Sequence, residues 1–168
     1  MTNYSLLVDI DLCIGCQACE IACKQENNIP VGPRWIRALT VGPKEVGGEL
    51  KMSFVVVRCR HCTDPPCLNV CPTDAITKRA DGIVLINPEL CIGCEACIEA
   101  CPFGSPQLNP KRGIVEKCTL CVHRIDQGLA PACFLACPTG AIDFGDTNTL
   151  IESKREKHAE SFMQSSQT

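Results

Sequence analysis

Residues 13–23 read Cys13-Ile14-Gly15-Cys16-Gln17-Ala18-Cys19-Glu20-Ile21-Ala22-Cys23, four cysteines spaced C-x2-C-x2-C-x3-C. The same spacing returns at Cys91, Cys94, Cys97 and Cys101. Two further groups are Cys59, Cys62, Cys67, Cys71 and Cys118, Cys121, Cys133, Cys137. They keep the leading C-x2-C and the closing C-x3-C but widen the middle gap to four and eleven residues. All sixteen cysteines of the 168-residue chain fall into these four groups. A proline (Pro72, Pro102, Pro138) follows the last cysteine of groups two, three and four, whereas Lys24 follows Cys23.

This spacing is that of the bacterial iron–sulfur run. Three thiolates two residues apart come from one tight loop and face one 4Fe–4S cube, and the loop turns backbone N–H groups toward the cluster sulfurs. Gly15 and Gly93 stand where a side chain would crowd the cluster or forbid a positive φ. The fourth cysteine lies one helical turn further on, points away and reaches a neighbouring cluster. The proline then ends the turn. Disulfides fit an even count but not four cysteines within eleven residues. Zinc uses C-x2-C pairs, but a third cysteine at the same step is foreign to a closed tetrahedral site.

Residues 11–23 align with residues 89–101 at nine of thirteen positions, and Cys71-Pro72-Thr73-Asp74-Ala75-Ile76 echoes Cys137-Pro138-Thr139-Gly140-Ala141-Ile142. The chain reads as a duplication. Between groups two and three, Ile76-Thr77-Lys78, a turn through residues 79–82 and Ile83-Val84-Leu85-Ile86 spell a short hairpin. Groups two and three then form a self-contained ferredoxin unit, with groups one and four closing around it. In this nested reading one cluster takes Cys13, Cys16, Cys19 and Cys137. A second takes Cys118, Cys121, Cys133 and Cys23. A third takes Cys59, Cys62, Cys67 and Cys101, and the last Cys91, Cys94, Cys97 and Cys71. Spacing alone leaves a tandem arrangement open as well.

Composition agrees with a metal-organised interior. Apolar residues make up 45 % of the chain, but only about 36 % once the cysteines are set aside, and there are seven aromatic residues. That is thin for an ordinary core of this size. Sixteen basic against nineteen acidic residues give a charge of −3, so a basic face for nucleic acid is not expected. No apolar run is long enough to span a bilayer. The first nine residues carry neither a basic n-region nor twin arginines, which makes a reducing cytoplasm the expected location. No dinucleotide fingerprint, phosphate loop or catalytic triad pattern occurs; the chain reads as a wire and not as a catalyst.

Other segments are read more coarsely. Leu6, Val8 and Ile10 alternate as a strand. Residues 35–41 form a strand, Gly42, Pro43, Gly47 and Gly48 a turn, and residues 50–57 the returning strand. Trp35 is read as a packing anchor. Residues 147–158 permit a polar helix capped by Thr147 or Asn148, and residues 164–168 read as disordered. His61 and His123 neighbour the cysteines without being needed as ligands. Arg58, Arg60, Lys24, Lys117 and Arg124 supply positive charge near the motifs, in an order that sequence does not rank.

Several stretches resemble the four-cluster electron-transfer subunits of the DMSO reductase (complex iron–sulfur molybdoenzyme) family. They are Cys118-Thr119-Leu120-Cys121, residues 128–138, Arg60-His61-Cys62-Thr63-Asp64-Pro65-Pro66-Cys67 and Cys101-Pro102-Phe103-Gly104-Ser105-Pro106-Gln107, and the resemblance runs over about residues 4–146. It implies an α+β fold of two nested bacterial-ferredoxin-like lobes with a near-linear row of clusters. The outer lobe is residues 1–57 with 108–146, the inserted lobe 58–107, and the tail 147–168. It implies four 4Fe–4S clusters, since no cysteine of group three is replaced. It further implies docking on a large catalytic subunit with a molybdenum or tungsten bis-pterin cofactor, with a flavin or ferredoxin protein as a further redox partner. A periplasmic location would follow only from a partner that carries an export signal. Thirty-one residues follow Cys137, a short extension for the family. That shifts the expected partner toward formate-dehydrogenase-linked systems or tungsten aldehyde oxidoreductases. The rival readings are a free-standing polyferredoxin and a zinc-stapled interaction module.

Overall fold

Strand β1 (Tyr4–Val8) finds its partner at the far end of the chain, in β8 (Ile142–Asp146). The pairing is antiparallel, with Tyr4 opposite Asp146 and Val8 opposite Ile142. The computed structural model describes residues 2–165, which hold eight strands, paired two by two, and six helices. Strand β1 buries Leu6 as its alternation predicts, but it stops at Val8, short of Ile10. The Asp9 N–H turns to the Ala141 carbonyl (2.7 Å) and the Asp9 carboxylate accepts the Asp11 N–H (3.1 Å), so Ile10 is left exposed.

Helix length follows the residue after the last cysteine of each group. Helices α2 (Pro66–Asn69), α3 (Ala96–Glu99) and α5 (Ala132–Leu135) are four residues long, each ending ahead of the proline that bars helix continuation. Helix α1 (Ala18–Glu26) has Lys24 there and runs nine residues. Its last residue, Glu26, accepts His123 Nε2 (2.7 Å) and Arg124 Nη1 (2.9 Å), both on the short helix α4 (Val122–Ile125) inside the widened gap of group four. Helix α1 packs on α5, and α2 on α3.

The hairpin after group one differs from its expected outline. Strand β2 (Ile36–Val46) continues through Gly42 and Pro43, which form a bulge in the pairing with β3 (Glu49–Arg58); only Gly47 and Gly48 make the turn. Both have positive φ (64° and 84°), the geometry a two-residue hairpin loop requires. The near half of the hairpin packs on the core, while Leu50 and Met52 of the far half are exposed. Strands β4 (Ile76–Lys78) and β5 (Val84–Ile86) form the ribbon read between groups two and three, with Ile76 opposite Ile86. A fourth ribbon, β6 (Gln107–Asn109) with β7 (Ile114–Glu116), has no counterpart in the expected outline. Its signal is Asn109, whose side-chain oxygen accepts the Lys111 and Arg112 N–H groups (3.0 and 3.3 Å) and bends the loop. Helix α6 (Thr147–Ser165) is longer than expected and includes Gln164 and Ser165 in its backbone; the rest of the expected disordered end, residues 166–168, lies outside the described residues. Its cap is neither Thr147 nor Asn148. Asp146 Oδ1 accepts the Asn148 and Thr149 N–H groups (3.0 and 3.3 Å), and the Thr147 hydroxyl donates to the Asn3 carbonyl (2.6 Å).

Cysteines interleave with aliphatic residues in the interior. Leu6, Trp35, Ile36, Ile83, Leu120, Ile125 and Ile142 pack with Cys19, Cys23, Cys59, Cys118 and Cys133; Ile76, Val84 and Val115 pack with Cys67 and Cys97. Trp35 is the packing anchor expected of it. Glu20, buried on α1, ties the hairpin to this core. One carboxylate oxygen accepts Arg34 Nη1 (2.6 Å), the other the Ala38 N–H (2.7 Å). Glu20→Ala leaves that N–H unpaired and should lower the unfolding free energy by ~1–3 kcal/mol, read by denaturant titration of the anaerobic protein, whereas Arg34→Ala, at a more exposed position, should cost less.

Candidate metal centres

In all four groups the residue just before the second cysteine has a positive φ: Gly15 (68°), His61 (46°), Gly93 (70°) and Leu120 (55°). This kink folds the loop back on its first cysteine. The His61 N–H donates to Cys59 Sγ and the Leu120 N–H to Cys118 Sγ, each at 3.4 Å. The Val115 N–H, from β7, reaches Cys91 Sγ at 3.4 Å. Glycine is required at two of the four positions for space as well as φ: a Cβ on Gly15 would collide with the Phe54 ring, and one on Gly93 with the Gly113 carbonyl oxygen. A second kink falls three residues after the last cysteine, at Asp74, Gly104 and Gly140. The echoed segments after Cys71 and Cys137 therefore share this kink, although Asp74 stands in one where Gly140 stands in the other.

Three cavities are each lined by four cysteines. One has Cys23, Cys118, Cys121 and Cys133 in its wall; another has Cys59, Cys62, Cys67 and Cys101; a third has Cys71, Cys91, Cys94 and Cys97. Cys13, Cys16 and Cys19 stand together near the chain's start, close enough for Cys13 and Cys16 to act electrostatically on Cys19. Cys137 packs against the same core as Cys19.

The thiols are crowded. Burial, then Cys118, Cys133 and Cys121, push the Cys23 thiol far above its ordinary value. Burial and then Cys118 and Cys121 raise Cys133 to about 12. Cys19, Cys97 and Cys118 are each pushed up to about 11, first by burial. Two cysteines go the other way. Burial raises Cys71 and Cys137, but N–H groups of Thr73, Ala75 and Ile76, and of Thr139, Ala141 and Ile142, together with the two threonine hydroxyls, outweigh it and leave both thiols low. Fully ionised sets of four would repel strongly in this interior; a metal core removes the protons and supplies the compensating charge.

Unpartnered donors suit the same chemistry. The buried side-chain atoms without a hydrogen-bond partner among the described residues are Trp35 Nε1, Arg58 Nε, His61 Nε2 and Ser105 Oγ. Trp35 and Arg58 line the first of the three cavities, His61 and Ser105 the second. His61 Nδ1 accepts the Val84 N–H (3.0 Å), so Nε2 carries the proton of the neutral ring. Burial, then Lys117 and Arg58, hold His61 neutral, down to about 2. Asn27, a residue that the spacing pattern does not single out, places its amide 3.7 Å from Cys23 Sγ and 3.9 Å from Cys121 Sγ. His123 is a surface partner of Glu26. Four thiols, N–H groups turned to sulfur and unpartnered donors fit a sulfur-rich cluster.

Comparison with known proteins agrees with this chemistry. Residues 50–147 match a 4Fe–4S dicluster domain family, and residues 12–75 match a second family of the same description. A thiosulfate reductase electron transfer subunit of Salmonella typhi is 43 % identical over 148 residues, covering 86 % of this chain and 77 % of that one. A polysulfide reductase subunit of Wolinella succinogenes is 42 % identical over 146 residues (86 % and 76 %). A subunit of the anaerobic dimethyl sulfoxide reductase of Escherichia coli is 37 % identical over 166 residues (95 % and 79 %). The chain belongs to the 4Fe–4S dicluster family. Within it, this is an iron–sulfur electron-transfer subunit of the dimethyl sulfoxide reductase type, not a catalytic subunit.

Gly93→Ala brings Cβ onto the Gly113 carbonyl and places alanine at a positive φ. It should destabilise the fold by ~1–3 kcal/mol, measured by anaerobic chemical denaturation, whereas Gly113→Ala, with open space around its Cβ position, should cost less.

Proposed function

We propose that the chain holds four 4Fe–4S clusters. Their ligands are Cys13, Cys16, Cys19 and Cys137; Cys23, Cys118, Cys121 and Cys133; Cys59, Cys62, Cys67 and Cys101; and Cys71, Cys91, Cys94 and Cys97. The observation that carries this reading is that three of these sets each line one cavity. The ribbon of β1 with β8 and the packing of α1 on α5 support the nested division into an outer lobe (1–57 and 108–146) and an inserted lobe (58–107).

The sets follow one another. Cys19 of the first acts on Cys23 and Cys133 of the second, Cys59 of the third on Cys118 of the second, and Cys67 of the third on Cys97 of the fourth. Every cysteine of the second set is buried, whereas Cys16 of the first and Cys94 of the fourth are exposed. When bound, each cluster supplies one-electron redox chemistry without bond making. The loops orient the thiolates, the N–H groups and buried donors favour the extra negative charge, and the aliphatic core keeps water from the middle of the row. The exposed ends suit transfer to other proteins. One partner is a large molybdenum or tungsten bis-pterin catalytic subunit, and the other is a further redox module such as a flavin or ferredoxin protein. Among the described residues no helix is long and apolar enough to cross a membrane. We place the complex in the cytoplasm, or in the periplasm when a partner supplies the export signal.

Anaerobically purified protein should contain about sixteen iron atoms and as many labile sulfides per chain. A single Cys→Ser change in any set should disturb one cluster's electron paramagnetic resonance (EPR) signal and leave three. Zinc in place of iron, or a cysteine whose loss disturbs the cluster of another set, would overturn the assignment. The complex should co-purify with a pterin-binding chain; a lone monomer would support the free carrier instead.

A further inference from the structure

Lys117 follows β7 directly and is 2 % exposed. Its ammonium group donates to the Val84 carbonyl and to the Cys118 carbonyl (3.2 Å). Among the described residues no carboxylate pairs with it: the ion pairs are formed by Arg34, Lys51, Arg79, Arg112, His123, Arg124 and Arg155. The other cations near the motifs are placed differently. Lys24 is bound to the Pro30 and Pro33 carbonyls (2.7 and 2.8 Å), Arg124 is paired with Glu26, and the exposed Arg60 lies over the Phe103 ring (4.7 Å). Arg58 donates to the carbonyls of Leu6 and Cys59 and remains partly accessible. Lys117 is therefore the most deeply buried of these cations, and two carbonyl dipoles compensate an ammonium only in part.

Cysteines share its cavity. Lys117 lines the cavity of Cys59, Cys62, Cys67 and Cys101, and its neighbour in the chain, Cys118, lines the cavity of Cys23, Cys121 and Cys133. At Cys67 it is the first charge that opposes burial, and at Cys118, whose carbonyl it binds, it acts together with Arg58, the stronger of the two.

We propose that Lys117 is the counter-charge shared by the second and third clusters and holds their reduction potentials above the values their cysteine loops alone would set. This rests on the ligand sets proposed above. Adding one electron to a cluster makes its thiolate cage more negative, with no bond broken and no proton required. A fixed positive charge in a low-dielectric interior favours that reduced form and raises the potential. Lys117 acts here as a positioning charge and is not itself a ligand.

The test uses the native complex, purified anaerobically, with Lys117→Gln and Lys117→Arg. Iron and sulfide are counted first. Each cluster is then titrated by EPR, its signal assigned from a Cys→Ser change in its own set. With iron retained, Lys117→Gln should lower the midpoints of the second and third clusters by at least a tenfold change in the reduced-to-oxidised ratio, about 59 mV for one electron. The first and fourth should move much less, and Lys117→Arg should restore the parent values. Unmoved midpoints, or four equal shifts, overturn the assignment to Lys117. If Lys117→Gln loses iron, Lys117→Met, which buries no unsatisfied amide, is read by the same criteria. If both neutral variants lose iron while the arginine variant keeps it, arginine midpoints at the parent values support the proposal and lowered ones overturn it. A parent complex short of sixteen iron atoms would sink the ligand sets instead, so the two failures are distinguishable.

Discussion

Buried sulfur in this chain must be compensated for charge. Thiols at Cys19, Cys23, Cys97, Cys118 and Cys133 are pushed well above their ordinary values by burial and by one another. An interior of this kind gains little from ordinary apolar packing alone, because the aliphatic residues are few and are interleaved with sulfur. The surrounding architecture reads as a response to that constraint. Backbone kinks bring N–H groups onto Sγ atoms; among the described residues a lysine is buried without a carboxylate, and tryptophan, arginine, histidine and serine side chains keep polar atoms unpaired in the walls of the cysteine cavities. Each would be unfavourable in an aliphatic core and becomes favourable beside an anionic cluster.

The sequence carries the parts of this design that are local. C-x2-C spacing, the glycines at 15 and 93, and the proline after the last cysteine each report a constraint within a few residues, and the loops and short helices follow them. Helix α1 shows the same logic in reverse: with Lys24 in place of proline it runs on to Glu26. The turn expected between β2 and β3 is too broad because Gly42 and Pro43 look like turn residues; only the pairing of the strands reveals them as a bulge.

The long-range parts are not legible. Nothing near Glu20 announces that it will accept the Ala38 N–H, and nothing in Lys117 distinguishes it from Lys24 until burial is known. Asn27 reaches sulfur across 94 positions of sequence. His61 reads in the sequence as a neighbour of the cysteines, and its tautomer becomes readable only through Val84 on β5. These residues matter through what the fold brings beside them, which a spacing pattern does not encode.

The ribbon joining β1 to β8 sets an order on biosynthesis. Strand β1 has no partner until the ribosome has delivered residues 142–146. Ribbons β2–β3, β4–β5 and β6–β7 close within short stretches of chain, so they are available to a nascent polypeptide, and the clasp of the two ends comes last. Until then Cys19 and Cys23 lack the shelter of α5 and the closing strand. The sulfurs of helix α1 are therefore among the first to be made and the last to be enclosed.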